Sequence, residues 1–357
     1  MVRPTYVEID LGAIAHNVGV FAESIAPSKL CTVVKADAYG HGDVPVATAA
    51  LEAGSDWLAV ALVEEGARLR EAGVEAPILL LSEPPPASAE EVVAWQLTPT
   101  VYTVPFIDAL AKVGLGQAVH LKVDTGMHRV GCAPDRIDEL MGACREGGLL
   151  VEAVWTHFPV ADSDPDFTRG QIELFDDVVS GMGVTMTHMA NTPGALLFPE
   201  SRRDMCRIGL GTYGLHPCAE TSSMISLRPA MRVVTHVSHV QRLPAGKRPS
   251  YGRRRELGRE STVVTAPIGY ADGFLRAMTD NGTALINGRR HPLAGRVTMD
   301  QIVIDVGDEP VVVGDQVVLM GRQGDEVITA DDWAEAIGTI NYEVVCSIGP
   351  RVPRRYL

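Results

Sequence analysis

The sequence predicts an α/β plus β architecture: a (β/α)8 TIM-like barrel over residues 1–228, followed by a C-terminal mostly-β domain over 229–357. Three observations predict it. Short apolar runs alternate with amphipathic stretches through the first two-thirds of the chain, in eight units. Near residue 228 the alternation gives way to strand-like segments and glycine-rich turns. No G-x-G-x-x-G follows the first apolar run, which weighs against an open dinucleotide-binding sheet.

In chain order, the predicted barrel strands are CTVVK (31–35), WLAVAL (57–62), PILLLS (77–82) and LTPTVY (97–102), then VHLKVD (119–124), VEAVWTHF (151–158), TMTHMAN (185–191) and CRIGL (206–210). Between them lie helical patterns at 64–73, 106–114, 136–148 and 169–183, several with glycine near the end. Alternation of this kind implies parallel strands joined by crossover helices. After residue 228 come strands near 261–270, 283–297, 300–307 and 315–321, with Asn287-Gly288 as a hairpin turn. Only ADDWAEAIG (330–338) reads as helical there.

A formal net charge of −14 excludes a general nucleic-acid or anionic-membrane surface, and leaves Arg253-Arg254-Arg255 as a solvated loop or partner contact. The six cysteines form no C-x-x-C pair and read as reduced thiols of a cytoplasmic protein. The opening MVRPTYVEID has no apolar signal region, and no stretch reaches transmembrane length.

Barrel active sites lie at the C-terminal strand ends. There the sequence puts Lys35 with Tyr39 just beyond, Lys122 before Asp124 and Arg129, His157, Asn191-Thr192, and Arg207 ahead of Gly209 and Leu210. A lysine ending a buried strand either snorkels to the surface or is there for chemistry. No clustered carboxylates or H-x-x-x-H point to a metal. One lysine beside hydroxyls and backbone N–H donors suits a carbonyl cofactor bearing a phosphate. Pyridoxal 5′-phosphate, held as a Schiff base, fits best; an aldolase-like Schiff base with a sugar phosphate is the generic competitor.

The residues also carry a resemblance. VVKADAYGHG (33–42), KVDTGMHRVG (122–131), THF (156–158), HMANTPGAL (188–196), RIGLGTYGL (207–215), IGYADG (268–273), GRVTMDQ (295–301) and TINYEV (339–344) follow the order of the bacterial alanine racemases, pyridoxal-phosphate enzymes of fold-type III, which the chain resembles along essentially its whole length. The resemblance implies that Lys35 carries the cofactor and is one catalytic base, and that Tyr270 from the other subunit of a homodimer is the opposite base. It implies a phosphate-binding set of Tyr39, Thr192, Gly209, Leu210 and Tyr342, with Asn191 also at the cofactor. Arg207 would face the pyridine nitrogen, and His157 would link Arg207 to the partner tyrosine. Arg129, with Met299 and Asp300 of the partner, would line the substrate pocket, and Lys122 matches a position often carbamylated. The implied product is D-alanine for peptidoglycan.

Three positions depart from the family's usual pattern: His128, Thr192 and Thr298. Thr192 keeps the hydroxyl, whereas His128 and Thr298 leave a broader or serine-active racemase as an alternative. A decarboxylase of the same architecture would carry a carboxylate where Arg207 stands. A non-catalytic cofactor carrier would lack the second domain.

Overall fold

The structure, a computed structural model, describes residues 3–357. It divides into two compact units. The first comprises Leu11–Ala38 and Asp43–Pro229; the second comprises the chain through Asp10, Tyr39–Gly42 and Ala230–Leu357.

The strands in chain order are β1 (Tyr6–Ile9), β2 (Lys29–Val33), β3 (Trp57–Val60), β4 (Ile78–Leu80), β5 (Thr98–Val101), β6 (Ala118–Lys122), β7 (Leu150–Trp155), β8 (Met186–His188) and β9 (Met205–Ile208). Strands β2 to β9 form one parallel sheet in the order β8-β7-β6-β5-β4-β3-β2-β9. Between β8 and β9 the sheet is bridged by Asp204 N–H to Thr187 O (3.1 Å) and Arg207 N–H to Ala190 O (2.9 Å), which nearly closes the barrel. The eight predicted runs all overlap these strands. Runs such as Ile78-Leu79-Leu80 are apolar and buried throughout, as strands covered on both faces must be. The crossover helices bury one stripe each. In Ile137–Glu146 it is Ile137, Leu140 and Cys144, three and four residues apart.

The first predicted strand needs correction. It stops at Val33, and Lys35 opens a helical turn, Lys35–Gly40. That turn is left-handed: Ala36, Asp37, Ala38 and Tyr39 have φ of 54°, 54°, 50° and 53°. L-residues in this conformation cost about 1–2 kcal/mol each, so the surroundings must enforce it. The Glu65 carboxylate accepts the Ala36 N–H at 2.6 Å, and Asp37 Oδ1 accepts the Asp43 N–H at 3.1 Å. Gly40 ends the turn at φ 79°, where a Cβ would sit 2.6 Å from Val345 O.

In the second unit, β10 (Met231–His236), β11 (His239–Leu243), β12 (Ser261–Ala266), β13 (Thr283–Ile286), β14 (Arg289–Pro292), β15 (Ile302–Gly307), β16 (Gln316–Gln323), β17 (Glu326–Ile328) and β18 (Arg354–Tyr356) form two sheets. One runs β14-β13-β16-β10-β1-β18 with β17 on β16; the other is β11-β12-β15. β1 belongs here, antiparallel to β10 and parallel to β18. Asn287 and Gly288, with φ of 52° and 74°, make the expected hairpin turn. Ala330–Ile337 is helical as expected, capped by Thr329. Asn341–Ser347 is a second helix that the sequence reading left out.

Candidate active site

The barrel's C-terminal strand ends gather positive charge. Lys35 follows β2, Lys122 ends β6, Arg129 lies on the loop beyond it, and Arg207 is on β9. Lys122 is buried, and its amine is pushed down from 10.5 to about 7 by burial, then by Arg207, Arg129 and Lys35, against the opposing pull of Asp124. Its Nζ sits 4.3 Å from the centre of the Trp155 ring, as does the Arg207 guanidinium at 4.5 Å. Asp124 is the carboxylate of this group. It is occupied in closing its own loop, accepting from Gly126 and His128 N–H at 2.9 and 3.0 Å.

Arg207 is buried, yet none of its four hydrogen-bond partners is charged. Nη1 donates to His188 Nδ1 (2.6 Å); Nη2 donates to Thr156 O (2.9 Å), Met189 O (3.0 Å) and His157 Nδ1 (3.1 Å). Its Nε–H makes no hydrogen bond among the described residues. A guanidinium only donates, so His157 must accept at Nδ1 and carry its proton on Nε2. Burial, Arg207 and Lys122 hold that imidazole well below its ordinary pKa, so it is neutral.

The predicted anion donors fall on neighbouring segments. Thr192 starts the helix Thr192–Leu197, and its hydroxyl accepts the Gly209 N–H at 3.2 Å. Leu210 opens the short 3-10 turn that follows. Asn191 plays a framing part. Its Oδ1 caps Gly194 N–H (3.0 Å), and its Nδ2 donates to Phe158 O (3.2 Å).

The second unit holds the remaining predicted residues in two groups. Tyr39 and Tyr342 face each other with ring centres 6.3 Å apart. Burial, with Tyr342 beside it, pushes the Tyr39 phenol up, so it stays a protonated donor. Tyr270, Met299 and Asp300 line an open concavity of about 1100 Å³ together with Ser250, Tyr251 and Thr298. Two motifs meet there through backbone bonds from Tyr270 N–H to Thr298 O (3.0 Å) and Ala271 N–H to Met299 O (3.1 Å). Gly269 allows this approach, because a Cβ would come within 2.2 Å of Thr298 O. The buried Asp272 accepts Gly269 N–H (2.9 Å) and pairs with Arg3 (2.5 Å), while Arg351 pairs with Asp300 (2.7 Å). Tyr270 and Met299 are 40% and 52% exposed, unusually open for an aromatic and a methionine side by side.

Sequence reasoning missed Glu65, His120, Trp155 and His188. Each sat inside a quoted or helical run, but only the barrel shows that His120, His188 and Trp155 point inward and that Glu65 reaches the turn after Lys35.

Fold and site together define a TIM-like barrel joined to a C-terminal sheet domain, with a lysine-centred cation cluster at the barrel's C-terminal rim. Residues 9–217 match the family model for the alanine racemase N-terminal domain, and 230–356 match that for the C-terminal domain. An alanine racemase of Symbiobacterium thermophilum is 43% identical over 366 residues, covering 99% of this chain and 97% of that protein. One of Halothermothrix orenii is 41% identical at the same coverage. The crystal structure of the Bacillus anthracis alanine racemase with bound L-Ala-P superposes with a TM-score of 0.94 at 37% identity, covering 100% of this chain and 96% of that one. The chain belongs to the alanine racemase family, whose members use pyridoxal 5′-phosphate. Among the described residues no helix is long and apolar enough to cross a membrane.

Proposed function

We propose that this chain interconverts L- and D-alanine with pyridoxal 5′-phosphate, as a cytoplasmic homodimer supplying D-alanine for peptidoglycan. Full-length likeness to alanine racemases supports the substrate. The observation that carries the chemistry is the set of four basic side chains, Lys35, Lys122, Arg129 and Arg207, around one neutral histidine. Such a set calls for anions, and a phosphate ester and a substrate carboxylate supply them. The cofactor fits the donors present. Lys35 offers an amine; Tyr39, Thr192, Gly209, Leu210 and Tyr342 suit a phosphate; and the spare Arg207 Nε–H suits an aromatic ring nitrogen. When bound, the cofactor supplies an electron-withdrawing ring that acidifies the α-C–H of the amino acid.

Racemisation removes a proton from one face of the α-carbon and returns one to the other, so it calls for a base on each face. Lys35 serves one face. Tyr270 of the other subunit serves the opposite face, which accounts for its exposure and that of Met299. An ordinary phenol titrates at about pH 10. His157, with its proton on Nε2, donates toward that phenol, and Arg207 holds the imidazole from behind. Arg129 with the partner's Met299 and Asp300 orients the substrate carboxylate and methyl group. Carbamylated, Lys122 would become an anion beside Arg129.

The test is polarimetric. Supplied with the cofactor, the purified protein should bring L-alanine and D-alanine to the same racemic endpoint, and Lys35→Ala should not. Retention of optical activity by alanine, with loss from serine alone, would reassign the substrate. Release of carbon dioxide would favour a decarboxylase.

A further inference from the structure

Among the described residues no carboxylate touches Arg207, a fully buried cation, an arrangement that ordinarily costs several kcal/mol unless charge is balanced nearby. The barrel interior offers a route to one. Because Arg207 Nη1 can only donate, His188 Nδ1 must be bare and its proton must be on Nε2. His188 Nε2 lies 3.0 Å from His120 Nδ1, so it donates there, and the His120 proton must in turn be on Nε2. His120 Nε2 points to Glu152 Oε2 at 3.5 Å, an ion-pair separation without a formed hydrogen bond. The polarity runs one way along this line only with both rings neutral, both protons on Nε2 and Glu152 ionised. Its two imidazole dipoles then align with their negative ends toward the guanidinium.

The surroundings reinforce that state. Trp155 stacks on His188 with ring centres 5.4 Å apart, and Trp57 packs against His120 at 5.2 Å. Burial and Arg207 hold His188 well below its ordinary pKa, with His120 and Lys122 acting in the same direction. Burial also lowers His120, against the opposing pull of Glu152. At the far end Glu152 feels His120 and then Lys29, and its side chain is 37% exposed. It lines an open concavity of about 720 Å³ with Ala118, Arg145 and Leu150, near the N-terminal ends of β6 and β7. Glu152 thus stands away from the cation cluster yet is linked to it by two rings.

We propose that Glu152 is the counter-charge of Arg207, relayed through His120 and His188, and that these three are positioning residues that hold the guanidinium with its Nε–H turned to the cofactor. The inference rests on the reading that Arg207 faces the cofactor ring. Two variants separate charge from hydrogen bonding. Glu152→Gln keeps an acceptor and removes the charge, while Glu152→Ala removes both. The position is partly exposed, and a wild-type far-ultraviolet circular dichroism spectrum with a cooperative melt certifies the fold.

The first readout is the ring-nitrogen correlation spectrum of 15N-histidine-labelled holoenzyme. Wild type should show His120 and His188 neutral with both protons on Nε2. Both variants should keep these tautomers, which Arg207 sets, while the His120 Nε2 resonance, facing the lost charge, should move away from its wild-type position. The second readout is kinetic. Both variants should lower kcat about three- to tenfold, with KM for alanine within twofold, the size expected for coupling through a packed polar network. A wild-type proton on Nδ1 of either ring would overturn the relay. So would wild-type kcat and cofactor affinity in both folded variants. The spectrum reads the relay whether or not alanine proves to be the substrate, so failure of the relay and failure of the functional reading are distinguishable.

Discussion

Lys122 gives the sharpest quantitative expectation. Its displacement from 10.5 to about 7 means that holding the ammonium in place costs about 5 kcal/mol. At pH 7 about half of such an amine is neutral, against roughly one in three thousand for an ordinary lysine. Carbon dioxide adds only to the neutral amine, forming the N–C bond and releasing one proton, so Lys122 should be carbamylated on the order of a thousandfold more readily than a surface lysine. The product replaces a cation by an anion beside Arg129.

The stability consequence has a definite sign. The folded pKa is depressed, so between about 7 and 10.5 the unfolded chain holds a proton that the folded one lacks. Without carbon dioxide, stability should therefore climb with pH through that window, and below pH 7 the full penalty applies. At pH 8, about 3 kcal/mol of penalty remains, so bicarbonate should raise the melting temperature by several degrees. Lys122→Met should abolish the response. The assay is thermal melting in degassed and bicarbonate-containing buffer, alongside carbon-13 bicarbonate NMR. No labelled carbamate on Lys122, together with equal melting in the two buffers, would refute the reasoning.

Other expectations follow from the same geometry. Equimolar Lys35→Ala and Tyr270→Phe protein, after subunit exchange, should regain up to about a quarter of wild-type activity, since about half of the dimers are then mixed and each of these keeps one intact site of two; verified heterodimers without activity would argue against a shared site. Gly269→Ala puts a Cβ 2.2 Å from Thr298 O, so the Tyr270 turn must open and kcat should fall about a hundredfold, a loss that steady-state kinetics reads directly. Ala36→Gly relieves an exposed left-handed residue and should stabilise the protein by about 0.5–1 kcal/mol in denaturant melts, whereas Ala67→Gly in the right-handed helix Val63–Glu71 should cost about as much.

The barrel was legible because each parallel strand is a local apolar run and each crossover helix a local stripe. β1 was not, since its partners β10 and β18 lie more than two hundred residues away and four residues carry little periodicity. The left-handed turn was hidden for another reason: of Ala36, Asp37, Ala38 and Tyr39 only Asp37 is of a type enriched at positive φ, and the Glu65 carboxylate that steadies the turn belongs to another helix. Asn341–Ser347 was missed because seven residues with two valines look as much like a strand as a helix. At the site, the motifs brought out Lys35, Lys122, His157 and Arg207 as single residues. Only folded geometry reveals that Arg207 dictates the tautomers of His157 and His188, because a hydrogen bond's direction depends on which atoms meet.

The central claim, that Lys35 and Tyr270 handle the α-proton from opposite faces, is tested most directly in deuterated water. The exchange of the α-hydrogen is followed by NMR for L-alanine and D-alanine separately, with wild type and with Tyr270→Phe. Wild type should exchange both enantiomers. Tyr270→Phe should stop interconversion, and nearly stop exchange from one enantiomer while the other keeps exchanging through Lys35. An equal fall for both enantiomers would contradict the two-face account and leave a single base in its place.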